Sequence, residues 1–157
     1  MDLRKRKFTL PEVCQAANVT EATLRNWLKR DVIDMGQLIT ARKWLFSAEE
    51  AVALRVLSSL VRLGVSPAVA EEACEQVGSQ SMAYPGSLNK YQKIIICINQ
   101  YDGSMHVAPA IRGKGVNLMI NDPSESTGWT RNPIIEIPVF EIIEDTLAEL
   151  EKIAGDS

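Results

Sequence analysis

Thr20-Glu21-Ala22-Thr23-Leu24-Arg25-Asn26-Trp27-Leu28-Lys29-Arg30 is the stretch on which the fold turns. Leu24, Trp27 and Leu28 recur at i, i+3 and i+4, so they share one face of a short helix. Glu21, Ala22, Arg25, Asn26 and Lys29 fall on the opposite face. Thr20 precedes the first apolar residue, where its hydroxyl can accept from a free amide of the first turn; such a cap is worth about 1 kcal/mol. The stretch therefore predicts a capped helix with an apolar back and a polar, basic front.

Upstream, Leu10, Val13, Cys14 and Ala17 fall at i, i+3, i+4 and i+7. They predict another short helix, with Thr9 as N-cap and Pro11 in its first turn. Only Asn18-Val19-Thr20 separates the two, a tight helix-turn-helix connection. Downstream, Asp31 to Phe46 loses helical spacing and contains Gly36, which predicts a two-stranded wing with Arg42-Lys43 beside Trp44-Leu45-Phe46. Ser47-Ala48-Glu49-Glu50 is a capping-box sequence that opens an apolar helix through Leu54, Leu57 and Val61 to Gly64. Ser66-Pro67 starts a fourth helix, expected to end at Gly78.

Residues 78–90 are rich in Gly, Ser and Pro and are expected to be a linker. Beyond them the period changes. Ile94 to Ile98 is a continuous apolar run, His106-Val107-Ala108 and Ile135-Glu136-Ile137 are further strand candidates, and Val116, Leu118 and Ile120 alternate. Pro109 and Pro138 mark strand ends or edges. A final helix from Glu141 to Ile153 buries Ile143, Leu147 and Leu150, with Ala154 beyond it continuing the apolar face. The expected fold class is α+β: an N-terminal winged helix-turn-helix of four helices and a small wing (1–77), the linker (78–90), and a small β-rich domain with a C-terminal helix (91–157).

Over all 157 residues the formal charge is −3. Residues 1–47 hold nine Lys or Arg against five Asp or Glu, a local +4, which leaves −7 on the remainder. Only the N-terminal third has the electrostatics of a phosphate binder. Cys14, Cys74 and Cys97 are odd in number and far apart, which predicts buried thiols in a reducing compartment rather than a disulfide framework. The charged start from Met1 to Lys7 is not a secretory signal, and no apolar run approaches the roughly 20 residues of a membrane helix. His106, the only histidine, has no neighbouring ligand in sequence, so no metal and no cofactor are expected. Arg112-Gly113-Lys114-Gly115 lacks the spacing of a phosphate loop and predicts a turn. Glu49-Glu50 and Glu71-Glu72 complement helix dipoles. No nucleophile and base are paired, so no enzymatic activity is expected.

In this order, the motifs resemble a known family. Phe8-Thr9-Leu10-Pro11-Glu12-Val13 followed by Val19-Thr20-Glu21-Ala22-Thr23-Leu24-Arg25 resembles the opening of a MerR-type DNA-binding domain. Trp44-Leu45-Phe46-Ser47-Ala48-Glu49-Glu50 and Leu63-Gly64-Val65-Ser66-Pro67 are similar to that family's post-wing helix start and next helix junction. The resemblance spans residues 8–77 and implies that the helix beginning at Thr20 enters the major groove of double-stranded DNA. Independently of it, Arg25 suits guanine O6 and N7 or a phosphate, Asn26 suits an adenine edge, and Glu21 and Ala22 share their face. Thr20, Thr23, Lys29, Arg30, Arg42 and Lys43 are the expected phosphate contacts, which set register rather than read sequence. Arg4, Lys5, Arg6 and Lys7 read either as a basic arm on the DNA backbone or as a solvated tail.

The sequence departs from the family at two places. Trp44 stands where a wing arginine is usual, which moves the wing's phosphate contact to Arg42 or Lys43. The family's long dimerisation helix is replaced by residues 78–157, so a homodimer is expected to form through the C-terminal domain. Together these features imply a cytoplasmic, nucleoid-associated bacterial transcription regulator that binds a palindrome as a dimer, with RNA polymerase as a further partner and no membrane association. Two other roles suit the same residues: an excisionase-like factor that shapes DNA, and a protein- or ligand-binding module on a degenerate DNA-binding fold.

Overall fold

The computed structural model describes residues 2–83, 93–98, 105–110 and 135–156. A single 3-10 turn, Leu3–Lys5, leads into β1 (Phe8–Thr9), α1 (Leu10–Ala17) and α2 (Glu21–Lys29). The wing strands β2 (Gln37–Thr40) and β3 (Lys43–Phe46) follow, then α3 (Ala48–Arg62) and α4 (Pro67–Ala83). After these come β4 (Lys93–Ile98), β5 (Met105–Ala110), β6 (Ile135–Pro138) and α5 (Val139–Gly155).

Local chemistry accounts for the helix starts. Glu12 reaches back to the Thr9 backbone N–H at 2.6 Å and its hydroxyl at 2.7 Å. The Thr9-x-x-Glu12 spacing is that of a capping box. Thr20 accepts from the Thr23 amide at 3.1 Å and so caps α2. At α3, the Ser47 N–H donates to Glu50 at 2.6 Å while the Ser47 hydroxyl accepts from the Glu50 amide at 3.2 Å. The α1–α2 turn is sharp because Asn18 takes the left-handed conformation, φ 51°, which asparagine tolerates better than most residues. Its carbonyl accepts from Arg62 at 2.8 Å, and the Ala17 carbonyl accepts from Ser58 at 2.9 Å. Helix α3 thus supplies donors for the free carbonyls at the end of α1.

Two small antiparallel sheets are present among the described residues. In the first the order is β1-β3-β2, with Phe8 opposite Phe46 and Gln37 opposite Leu45. The two residues of β1 carry no strand signal; they are ordered by pairing with β3, a non-local effect. The second sheet has the order β5-β4-β6, with Ile96 opposite both Val107 and Ile135. Pro109 lies in β5, at one side of this order, the kind of position where a residue without an N–H is tolerated. The expected strand at Val116–Ile120, the turns at Asp102-Gly103 and Arg112–Gly115, and residues 84–90 of the expected linker lie outside the described residues.

The expected end of α4 at Gly78 needs correction, because the helix continues to Ala83. Gly78 is buried there, and a Cβ on it would abut the Glu49 carbonyl and come within 3.2 Å of the Ala53 Cβ. Its lack of a side chain lets α4 approach α3 closely; it does not punctuate the chain.

Helix α5 starts immediately after β6 and runs beside α1 and α3. Val139, Ile143, Leu150, Ile153 and Ala154 join one continuous core with Phe8, Val13, Leu24, Phe46, Leu54 and Leu57. The helix that the sequence grouped with the C-terminal unit is packed into the apolar core of the N-terminal one. The C-terminal part of α5 is also tied to the start of the chain: Arg6 donates to the Ala154 carbonyl at 2.9 Å, and Gln15 to Glu149 at 2.6 Å.

Candidate nucleic-acid interface

Three groups of basic residues are placed separately by the fold. The first is the outer face of α2. Leu24, Trp27 and Leu28 are buried, while Glu21, Ala22, Arg25, Asn26, Lys29 and Arg30 are exposed. This is the amphipathic division expected from the sequence. Burial of the back face holds the helix down, so the front is a rigid platform rather than a loop. Thr20 and Thr23 are less free than expected of phosphate ligands: their hydroxyls bond each other at 2.8 Å, and Thr20 also serves as the cap.

Arg25 is engaged as well. Its guanidinium donates to the Glu21 carboxylate at 3.0 Å, an i,i+4 pair whose side chains remain 52% and 46% exposed. Such a pair contributes only about 0.3–0.5 kcal/mol in water, so it organises the side chains without contributing much to folding. Lys29, Arg30, Arg42 and Lys43 have no ion pair among the described residues.

The wing supplies the second group. Ala41 and Arg42 form the turn between β2 and β3, and Arg42 and Lys43 are exposed at its tip. Behind them Trp44 stacks on Phe46, ring centroids 6.4 Å apart, so Trp44 packs within the wing. Gly36 fixes the wing base at φ 81°, where a Cβ would strike the Phe46 ring; its N–H donates to Glu50 at 2.7 Å. The Asp34 N–H donates to Glu71 of α4. Leu38 and Ile39 lie 51% and 47% exposed on β2.

The N-terminal basic run splits. Arg4 and Lys7 line an open cleft of about 350 Å³ with Ser47, Ala48, Glu49 and Glu50 at the start of α3. Lys5 stays exposed, 3.9 Å from Asp2. Arg6 turns inward, and its expected phosphate contact is corrected. It pairs with Glu12 at 3.4 Å with only 19% of its side chain exposed, lies over the Phe8 ring at 5.4 Å, and donates to the last turn of α5. The cause is helix geometry: free carbonyls at a helix C-terminus attract a cation, and an aromatic face alongside adds to that attraction. Glu12 responds in turn. Burial pushes its carboxyl up, but hydrogen bonds from Thr9 and the Arg6 charge outweigh this and hold it below its ordinary value of 4.5.

The thiols of the described residues are chemically quiet. Cys14 and Cys74 are buried and free. Burial pushes Cys14 up to about 11 and Cys74 up to about 12, with acidic neighbours adding to both. No group of His, Cys, Asp and Glu among the described residues is placed to hold a metal ion, and no described helix is long and apolar enough to cross a membrane.

A capped helix with a basic front, a tight turn to a supporting helix, and an adjacent wing with a cationic tip make a winged helix-turn-helix. Residues 8–77 match the family described as MerR HTH family regulatory protein. Residues 8–77 thus form a MerR-type helix-turn-helix domain. No curated protein matches the chain by sequence, and residues 78–157 extend beyond the family match.

The sequence located both presenting elements. It missed the inward turn of Arg6, which depends on a carbonyl 148 residues away. It also treated Glu21 and Arg25 as separate readers, although their i,i+4 spacing was the available signal for a pair.

Proposed function

We propose that the protein is a sequence-specific transcription regulator that lays α2 in the major groove and acts as a dimer on a palindromic site. The observation that carries this is the front of α2: Arg25, Asn26, Lys29 and Arg30 exposed together on a helix whose opposite side is locked in the core. N-terminal residues of a recognition helix meet base edges, which gives Glu21, Ala22, Arg25 and Asn26 the reading role. Lys29, Arg30, Arg42, Lys43, Arg4 and Lys7 neutralise phosphates, and exposed Lys5 adds to the same field.

One such domain covers a short half-site, so two copies about one helical turn apart supply the affinity a single copy lacks. Self-association belongs to residues 91–157, whose sheet is coupled to the reader through α5; an RNA polymerase contact is assigned to the same region. The place of action is the nucleoid in the bacterial cytoplasm.

Selection of bound oligonucleotides from a random pool, with the full chain, tests the reading. Enrichment of a palindrome is expected, and Arg25→Ala should weaken binding to it far more than binding to random sequence. No enrichment overturns the proposal. Equal losses on both DNAs would make Arg25 a phosphate contact.

A further inference from the structure

From the Glu21–Arg25 pair we infer that the two side chains act as one reader of a single G·C base pair, with Glu21 as its specificity-determining member. The inference rests on the proposed function and names what α2 reads. Glu21 is the first residue of α2, and Arg25 stands one turn later on the same exposed face. Their ends are joined at 3.0 Å.

A carboxylate at the front of a recognition helix has few partners in DNA. It is repelled by phosphates and finds only acceptors at guanine O6 and N7 and at thymine O4. The donors available in the major groove are the amino groups of cytosine and adenine. The guanidinium has the opposite requirement, and guanine O6 and N7 are its best match. Across one G·C pair these partners lie side by side, because guanine O6 and the cytosine amino nitrogen are themselves hydrogen-bonded at about 2.9 Å. That spacing is close to the 3.0 Å between the joined Arg25 and Glu21 ends. Donors from Arg25 onto guanine and an acceptor from Glu21 onto cytosine close a four-membered hydrogen-bond set on one base pair. The reversed C·G pair presents the wrong group to each side chain. A·T leaves the guanidinium facing the adenine amino group and the carboxylate facing thymine O4, while T·A satisfies the carboxylate but offers the guanidinium the single acceptor thymine O4 beside a methyl group in place of guanine O6 and N7.

Glu21 also lowers the worth of every wrong register. A lone arginine binds any phosphate, whereas one already paired has a neighbouring negative charge that the phosphate must face. The pair thereby gives up nonspecific affinity for discrimination.

Oligonucleotide selection with the full chain and with Glu21→Gln provides the test, followed by affinities for the selected site and for variants at each position. Glutamine keeps the shape of Glu21 at an exposed position, and thermal melting verifies that it folds. The expected wild-type site holds an invariant G·C pair in each half. In Glu21→Gln the preference at that pair alone falls about ten-fold, and affinity for random DNA rises. Arg25→Ala combined with Glu21→Gln should relax that position no further than Arg25→Ala does by itself. A wild-type site without an invariant G·C, or unchanged preference at every position in Glu21→Gln, overturns the composite reader while leaving the proposed function intact. Absence of any enriched wild-type site overturns both.

Discussion

Arg6→Ala separates a cation that contacts DNA from one that holds the fold together. Its guanidinium donates to the Ala154 carbonyl at 2.9 Å in the last turn of α5, sits 5.4 Å from the Phe8 ring centre, and pairs with Glu12 at 3.4 Å. A hydrogen bond from a charged donor contributes about 1.5–3 kcal/mol, and the ring contact about 0.5–1 kcal/mol. The Glu12 pair lies near the solvent boundary and adds at most about 1 kcal/mol. These terms share one side chain and overlap, so the expected loss is about 2–4 kcal/mol. Urea denaturation of the full chain, followed by tryptophan fluorescence, measures it against Arg4→Ala, whose exposed side chain should change stability by less than about 0.5 kcal/mol. Arg6→Lys keeps the charge without the planar fork and should fall between the two. Should Arg6→Ala lose no more than Arg4→Ala yet weaken DNA binding, the tie to α5 is wrong and Arg6 is a phosphate contact after all.

Further outcomes follow from the same packing. Glu12 has a folded pKa below its unfolded value, so its contribution is fully present above that value and is lost as pH falls through the folded one. The urea midpoint should therefore fall more steeply below about pH 4.5 in the wild type than in Glu12→Gln; parallel curves would remove Glu12 from the tie. Gly78→Ala sets two effects in opposition: alanine gains about 1 kcal/mol of helix propensity, while its methyl meets the Glu49 carbonyl and Ala53 at about 1–3 kcal/mol of overpacking. A net loss in the urea midpoint is expected, and a gain would refute the close approach of α4 to α3. In a Cys97→Ser chain, Cys14 and Cys74 should react with a thiol reagent at neutral pH only as fast as the protein opens. Fast labelling at native stability would contradict their burial.

Caps and amphipathic faces were legible from the residues because they are local. Thr20 and Ser47 start helices by accepting from an amide of the first turn, Pro67 starts one because its missing N–H would have no partner there, and Leu24, Trp27 and Leu28 select the face of α2 that is buried. The presented face follows by exclusion, which is why Arg25, Asn26 and Lys29 could be named before any fold was known. β1 was not legible, since two residues acquire strand geometry only by pairing with Phe46 and Leu45. Gly78 was misread because glycine ends a helix in one context and admits a neighbouring helix in another, and only α3 distinguishes them.

Sequence by itself determined the order of the N-terminal helices, the wing and the concentration of positive charge on residues 1–47, all consequences of spacing and composition over a few turns. Tertiary structure alone decided what individual charges do. Of four consecutive basic residues, Arg6 is drawn inward by a carbonyl and an aromatic ring brought from distant parts of the chain. Helix α5 likewise joins the core of the reader because its apolar face finds α1 and α3. A cation's role is set by the nearest uncompensated dipole or charge, and that neighbour exists only once the chain has folded.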